Sequence, residues 1–233
     1  MKYATRIVLA LLVLVSILIW NGCRKDRYEP KQEDLGYSYF LMDKGNTWIY
    51  EVDSIQYTSY NQSHPIDTFQ FFIKRIITDT FIDKDSAKNA IVSVYKSNSI
   101  NGNYQFVRNY TQRIYDFRAE VVDTNVKTVA LVFPPNLNEY WNANLFNTKD
   151  ESELEIAELK LKDSMGGNSY DSILYVLRSG IDIRTLKDFG MEKYAKNVGL
   201  IYSEQIHKKW KSLLPNEIPD GFEYTYKLVK FEK

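Results

Sequence analysis

The sequence predicts an all-β, mainly antiparallel fold: a curved, strongly twisted meander sheet or a half-open barrel, with at most one short helix. Aromatic residues make up 15% of the chain, with 18 Tyr and 12 Phe, whereas Gly and Pro number only 10 and 6. Aromatic side chains pack well on pleated sheets and are scarce in disordered chains. Apolar and polar residues alternate with a period of two in many segments, which is typical of strands. Short turn-rich pieces separate these segments, so the connections fit antiparallel hairpins rather than parallel crossovers.

The first element is a predicted export signal. Lys2 and Arg6 precede the apolar run Ile7–Trp20, and Asn21-Gly22-Cys23 follows before the charged tether begins. A run of 14 residues is shorter than the ~20 residues that span a bilayer as a helix, which favours a cleavable signal over a permanent anchor. A cysteine directly after a small residue at the cut point resembles a bacterial lipoprotein signal. We therefore predict a signal peptide over residues 1–22.

Cys23 is the predicted lipidation site. It is the only cysteine of the chain, which excludes an internal disulfide and a thiolate metal cluster. Several acyl chains on one residue would convert marginal membrane attachment into stable anchoring. We expect a palmitate-type lipoprotein of the cell envelope, held at the outer membrane, and the pattern leaves the periplasmic or surface face open.

The remaining chain is predicted to form a tether over residues 23–37 and a single antiparallel β domain over residues 38–233. The tether is charged, carries one Pro and shows no periodicity. Removal of the signal would leave 28 Lys and Arg against 30 Asp and Glu. This balance argues against a nucleic-acid partner, which requires a basic surface.

The predicted strands begin with Asn46–Gln56, in which Trp48, Tyr50 and Val52 share one face. Only Asp150–Asp163 has a competing helical interpretation, because its Glu, Leu and Lys residues favour a helix; strand is slightly preferred. The other segments with strand alternation are Asp67–Thr78, Ala90–Ser97, Tyr104–Asp116, Arg118–Asp123, Lys127–Phe133, Ser172–Arg184, Gly190–Lys196, Val198–Trp210 and Phe222–Glu232.

Three stretches resemble a family. They are 44–52 (KGNTWIYEV), 132–134 with 140–144 (VFP and YWNAN), and 192–204 (EKYAKNVGLIYSE). In this order they resemble uncharacterised lipoproteins of the Bacteroidota that carry a half-barrel sheet related to lipoprotein carriers. The resemblance implies a fold and a location, and it implies no catalytic residue.

The motif residues are expected to have structural roles. A glycine at a strand entry, as at Gly45, permits an unusual φ, and Trp48 would plug one end of the core. Gly199 would allow a bulge or tight curvature. Ligand contact is the alternative interpretation for these positions. The full set of motif residues is Gly45, Trp48, Tyr50, Trp141, Tyr194, Val198, Gly199 and Tyr202.

The residues that carry chemistry are few. The chain has two histidines, His64 and His207, and lacks a His-x-x-x-His spacing, a nucleophile elbow and a phosphate-binding glycine loop. We predict no catalytic residue, no metal site and no cofactor. A hydrolase with paired carboxylates stays open, because such pairs form only in space.

A sequence bias suggests modification. Seven of 16 aspartates precede Ser or Thr, and in four cases a small or aliphatic residue follows. This pattern resembles the O-glycosylation sequon of exported Bacteroidota proteins, and turn chemistry is an equal alternative. The candidate acceptors are Ser54, Ser86, Ser164 and Ser172.

The composition and patterning favour a non-catalytic binding module for an apolar small molecule or an envelope protein. Aromatic-lined concavities hold apolar ligands, although the same aromatic residues also fill cores. The alternative is a structural or adhesive subunit of an envelope assembly, in which an exposed Tyr-rich strand such as Tyr104–Tyr115 offers an edge for strand addition.

Overall fold

The computed structural model describes residues 35–60, 64–160, 162–165, 167–211 and 217–233, and the signal, Cys23 and most of the tether lie outside these residues. In the described part of the chain, one helical turn, Tyr37–Tyr39, precedes fourteen strands. The strands are β1 (Thr47–Tyr57), β2 (Ile66–Ile82), β3 (Lys88–Ser97), β4 (Gln105–Tyr115), β5 (Arg118–Asp123), β6 (Val126–Val132), β7 (Tyr140–Asn142), β8 (Glu153–Lys160), β9 (Asp163–Met165), β10 (Asn168–Tyr170), β11 (Ile173–Ile183), β12 (Leu186–Ala195), β13 (Gly199–Lys209) and β14 (Asp220–Glu232).

Twelve strands form one antiparallel sheet in the order β6-β5-β4-β3-β2-β1-β14-β13-β12-β11-β8-β7, and β9 and β10 form a separate hairpin. The predicted all-β antiparallel fold is therefore confirmed. The sheet is a meander with one long-range junction, because the first and last strands, β1 and β14, pair in its middle. Segment 150–163, left between helix and strand, contains β8. The strands that alternation did not reveal, β7, β9 and β10, have three residues each, too few to show a period.

The two edges of the sheet meet, so the sheet curls into a nearly closed barrel. The backbone N–H of Val129 on β6 donates to the carbonyl of Ala143, just after β7, at 2.9 Å. The Trp141 indole Nε1 donates to the Val129 carbonyl at 3.0 Å. The side-chain amide of Asn147 adds a bond to the Lys127 carbonyl at 2.7 Å. We call this junction the seam.

One end of the barrel, the base, is closed by the segment that precedes β1. Its backbone is held by Gln112 Nε2, which donates to the Leu41 carbonyl at 2.7 Å, and by the Asn197 N–H, which donates to the Ser38 carbonyl at 2.8 Å. The core consists of two clusters of buried apolar side chains, one that includes Trp48 and one that includes Phe133, and Met42 packs against both. At the opposite end, the rim, lie the turns that join β1 to β2, β11 to β12 and β13 to β14.

Alternation within each strand decides which side chains enter the barrel. On β1, the side chains of Trp48, Tyr50, Val52 and Ser54 are buried. Between Tyr50 and Ser54, the two residues that alternate with this row and point to the other face are half-buried. The predicted face of this strand is thus the inner one. Among the described residues, no helix has the length and apolar character needed to cross a membrane.

Candidate functional site

The interior of the barrel contains a cavity of about 1480 Å³, which we call the lumen. This volume exceeds the roughly 300–1,000 Å³ of common small-molecule pockets. The lumen extends from Trp48 and Gly199 at the base to Arg108 and Glu151 at the rim. Both rim residues are exposed, so the cavity reaches solvent at that end.

The floor of the lumen joins two motifs that lie 150 residues apart. Trp48 Nε1 donates to the Val198 carbonyl at 2.6 Å, and the Tyr50 hydroxyl donates to the Leu200 carbonyl at 2.9 Å. Gly199 has a φ of +90°, and a Cβ there would lie 3.7 Å from Trp48 Nε1. Glycine is therefore favoured at this position by the positive φ and not by a lack of space. The hydrogen bond from the indole orders the β12–β13 turn.

Arg75 is the central charged group of the lumen. It lies opposite Trp48 in the β1–β2 register and enters the cavity from β2. Its guanidinium carbon is 5.1 Å from the centre of the Tyr50 ring and 5.6 Å from that of the Tyr226 ring, distances at which cation–π attraction operates. Tyr110 lines the same cavity, and its hydroxyl interacts electrostatically with Arg75.

The other two arginines of the lumen are already neutralised. Arg108 makes a bidentate contact with Asp123, at 3.0 Å from Nε and 2.8 Å from a terminal nitrogen. Arg178 is paired with Asp188 and donates a further hydrogen bond to the Phe189 carbonyl at 3.0 Å. Among the described residues, no carboxylate oxygen lies within 4.0 Å of an Arg75 nitrogen.

Glu192 on β12 faces the same space. It accepts a hydrogen bond from the Tyr194 hydroxyl at 2.5 Å. Burial raises the pKa of Glu192, while the hydrogen bond from Tyr194 and the charge of Arg75 act in the opposite direction. Burial also raises the pKa of the Tyr194 hydroxyl, and the neighbouring Glu192 charge adds to this effect.

The motif residues predicted from sequence are placed in different parts of the barrel. Trp48, Tyr50, Tyr194 and Gly199 line the lumen, and Val198 accepts the Trp48 bond. Trp141 closes the seam. Gly45 has a φ of +98° before β1. Tyr202 is outside the lumen, because its neighbour Ser203 points inward, and its hydroxyl donates to Glu204 at 3.2 Å.

The four predicted glycosylation serines differ in accessibility. Ser54 is only 3% exposed, so a sugar would have to be added there before folding. The Ser172 hydroxyl is hydrogen-bonded with the Tyr39 hydroxyl at 2.5 Å. Ser164 lies on β9 and is exposed. Ser86 is exposed in the β2–β3 turn with a φ of 62°.

Sequence reasoning missed Arg75 and Glu192, although the strand period contains the signal for both. On β2, Arg75 shares its parity with the buried Ile73 and Ile77. On β12, Glu192 shares its parity with the buried Tyr194. A charged residue in the apolar row of a predicted strand is a candidate for an interior function, since an unpaired buried charge is costly.

Neither histidine is among the described residues that line the lumen. His207 Nδ1 is 3.7 Å from Asp188, and the ring packs near Phe222. His64 is exposed in the turn between β1 and β2. Within the described ranges, no group of three or more His, Cys, Asp or Glu side chains is arranged to hold a metal ion.

Two solved structures resemble this fold. One is a candidate exported protein of Bacteroides fragilis NCTC 9343 with a YmcC-like fold, at 10% identity and a TM-score of 0.44; it covers 83% of this chain and 98% of that one. The other is a candidate lipoprotein of Parabacteroides distasonis ATCC 8503, at 11% identity and a TM-score of 0.42, with the same coverage. No family model and no curated protein matches the chain.

Proposed function

We propose that this protein is a lipid-anchored, non-catalytic binding protein of the cell envelope that holds a small molecule in its barrel lumen. The observation that carries the proposal is the cavity of about 1480 Å³, which opens at an exposed rim and is closed at the base. A space of this size is costly to leave within a domain unless water or a ligand fills it, because protein interiors are otherwise close-packed.

The lining suits a ligand with both apolar and polar parts. The apolar contacts come from side chains such as Val121, Val176 and Leu200, and the polar ones from Arg75 and the surrounding tyrosine hydroxyls. The predicted purely apolar ligand is therefore broadened in this proposal to an amphiphile. Three carboxylates of the lumen are engaged by donors, Asp123 and Asp188 by arginines and Glu192 by Tyr194, whereas Asp150, Glu151 and Glu153 are exposed at the rim. This arrangement favours binding over hydrolysis.

Extraction of the native protein tests the binding function. The mature protein is purified from detergent-solubilised membranes, extracted with organic solvent and analysed by lipid mass spectrometry. We expect one class of small molecule at near-stoichiometric amounts. An empty extract, together with no binding of a fluorescent fatty acid, would contradict the proposal.

A matched pair of variants locates the bound molecule. Gln205→Trp adds bulk to the lumen at an exposed position, and Thr225→Trp adds the same bulk to the outer face, since its neighbours Tyr224 and Tyr226 point inward. The first variant is expected to lose the extracted compound and the second to retain it. Equal retention by both would place the compound outside the barrel.

Anchoring through Cys23 is a separate part of the proposal. Metabolic labelling with a palmitate analogue is expected to mark the wild-type protein and not Cys23→Ser, and the mass of the mature N-terminus should correspond to acylated Cys23. A soluble, unacylated mature protein would contradict it. Protease treatment of intact cells then distinguishes surface from periplasmic exposure at the outer membrane.

The adhesive alternative is favoured by one half-strand. β5 pairs with β4 only from Thr111 onward, so Gln105–Tyr110 has no ladder partner on that side among the described residues. Phe106 and Val107 in this part are 58% and 46% exposed. We propose strand addition of an envelope protein here as the second candidate function. Pull-down from solubilised membranes should recover a stoichiometric partner that Phe106→Asp fails to capture.

A further inference from the structure

We propose that Arg75 is the anion-recognition residue of the lumen, and that the ligand is an amphiphile whose carboxylate or phosphate group lies against its guanidinium. This inference rests on the proposed binding function and names the chemical class of its ligand. It concerns a charged group of the cavity that lies opposite Trp48 of the floor in the β1–β2 register.

The described residues leave most N–H donors of the Arg75 guanidinium without a hydrogen-bond acceptor. A guanidinium carries five N–H donors in a planar fork that matches a carboxylate or a phosphate. Tyr50 and Tyr226 approach it with their ring faces, which attract the cation but accept little from the N–H groups at its edge. The Tyr110 hydroxyl adds an electrostatic interaction.

Arg75 differs in its partners from the other two arginines of the lumen. Arg108 and Arg178 each have an aspartate partner on a neighbouring or nearby strand. Arg75 is the member of this set that contacts aromatic rings in place of a carboxylate in the described structure. Arg75 is half-buried within the cavity. Since a cation shielded from water is costly to leave without an anion, a ligand anion would supply the missing partner.

In the described structure, no carboxylate of the lumen forms an ion pair with Arg75. Asp150, Glu151 and Glu153 line the rim and are exposed, so water and salt screen them from the floor. Glu192 is an acid whose charge acts on Arg75. Its carboxylate is hydrogen-bonded to Tyr194 instead, and burial weakens its tendency to ionise.

The rest of the lining accounts for the apolar part of the ligand. Aliphatic and thioether side chains from six strands line the same cavity as Arg75, and these positions continue the wall above the floor. They are Val121, Val129, Leu154, Val176, Met191 and Leu200. An acid attached to a hydrocarbon portion therefore satisfies both surfaces, whereas a free inorganic anion would leave the apolar wall in water.

The test compares an acid with its neutral ester. A fluorescent polyene fatty acid and its methyl ester are titrated into the mature protein, and dodecanoate and dodecyl phosphate then compete for the acid in separate arms that distinguish the two anion sources. We expect the acid to bind about tenfold or more tightly than the ester, as for a charge-assisted hydrogen bond in a shielded site. Arg75→Gln should weaken acid binding to about the level of the ester and so remove this preference.

Two further variants complete the test. Lys74→Gln removes the same charge from the adjacent residue, whose ammonium group lies over the Tyr95 and Tyr104 rings outside the lumen, and should retain the preference. Glu192→Gln removes a nearby negative charge and should strengthen acid binding. Equal binding of acid and ester by the wild-type protein would overturn the role of Arg75 alone. Binding of neither probe would overturn the lumen as a binding site altogether.

Discussion

At the residue scale, the best-defined structural contacts are those of aromatic side chains that carry a polar atom. Trp48 is 6% exposed, stacks on Phe231 with ring centres 5.6 Å apart, and donates to the Val198 carbonyl. Such a residue supplies apolar area and one directed hydrogen bond at the same time. The prediction that Trp48 plugs one end of the core follows from its position at a strand start. Its partner could not be predicted, because the partner lies on the β12–β13 turn.

Trp48→Phe is expected to lower the free energy of unfolding by about 2 kcal/mol. The phenyl ring keeps most of the apolar contact but leaves the half-buried Val198 carbonyl without its donor, at a cost of about 1–3 kcal/mol. Urea denaturation followed by circular dichroism measures the change. Trp210→Phe, at a half-buried position on the rim, is the control and should cost about 1 kcal/mol or less. Equal losses in the two variants would contradict the role of the indole hydrogen bond.

At the element scale, the β2–β3 hairpin shows how a short turn is stabilised by one carboxylate. Asp83 Oδ1 accepts from the N–H groups of Asp85 and Ala87 at 2.9 and 3.0 Å. Its Oδ2 accepts from the side chains of Asn89 at 2.8 Å and Arg113 at 2.7 Å. Arg113 in turn donates to Glu120 of β5, so the turn is linked to the next two strands. The sequence indicated a turn here from its local composition, but the arginine partner comes from β4.

Asp83→Asn is expected to remove an acid-sensitive part of the stability. The hydrogen bond from Asn89, the Ala87 N–H and the Arg113 guanidinium lower the pKa of Asp83 to about 2, against about 3.9 in an unfolded chain. A lowered pKa means that the stabilisation is complete above about pH 4 and is lost as the pH falls toward 2. Unfolding free energies at pH 2 to 7 should therefore differ between wild type and variant at neutral pH and converge below pH 4.

The control for this variant is Asp182→Asn, whose carboxylate is 78% exposed and lies 3.8 Å from Lys187. Exposed pairs of this kind contribute little to stability. We expect its pH profile to follow that of the wild-type protein. A difference between wild type and Asp83→Asn that is constant from pH 7 to 2 would show that the carboxylate charge is not the cause.

At the scale of the whole molecule, the decisive feature is the closure of the sheet. A sheet of twelve strands has two edges with unpaired backbone groups, which invite association. Here β6 and the chain after β7 satisfy some of each other's groups at the seam, and the lumen is enclosed as a result. The tendency of a large twisted sheet to curl was predictable. Which strands would meet was not, because they are neighbours only after curling.

Trp141→Phe is expected to loosen the seam without unfolding the barrel. The variant leaves the Val129 carbonyl without the indole donor, which should raise the local opening equilibrium by roughly tenfold. Hydrogen–deuterium exchange measured by mass spectrometry should become faster in β6, while exchange in the central strand β1 stays unchanged. Tyr140→Phe, at a neighbouring side chain that is 54% exposed, serves as the control. Faster exchange in β1 as well would indicate global destabilisation and contradict a local seam.

The sequence by itself determined the longer strands and which residues of a strand share a face. A period of two is a local property, so Trp48, Tyr50 and Val52 could be assigned to one face before any partner was known. It also predicted the lipidation of Cys23, which remains a prediction. Only the tertiary structure decided that the sheet closes at Trp141 and that Arg75 enters the lumen among three tyrosines from different strands. Both outcomes depend on strands far apart in the sequence, and their pairing is set by the packing energy of the complete barrel rather than by any local pattern.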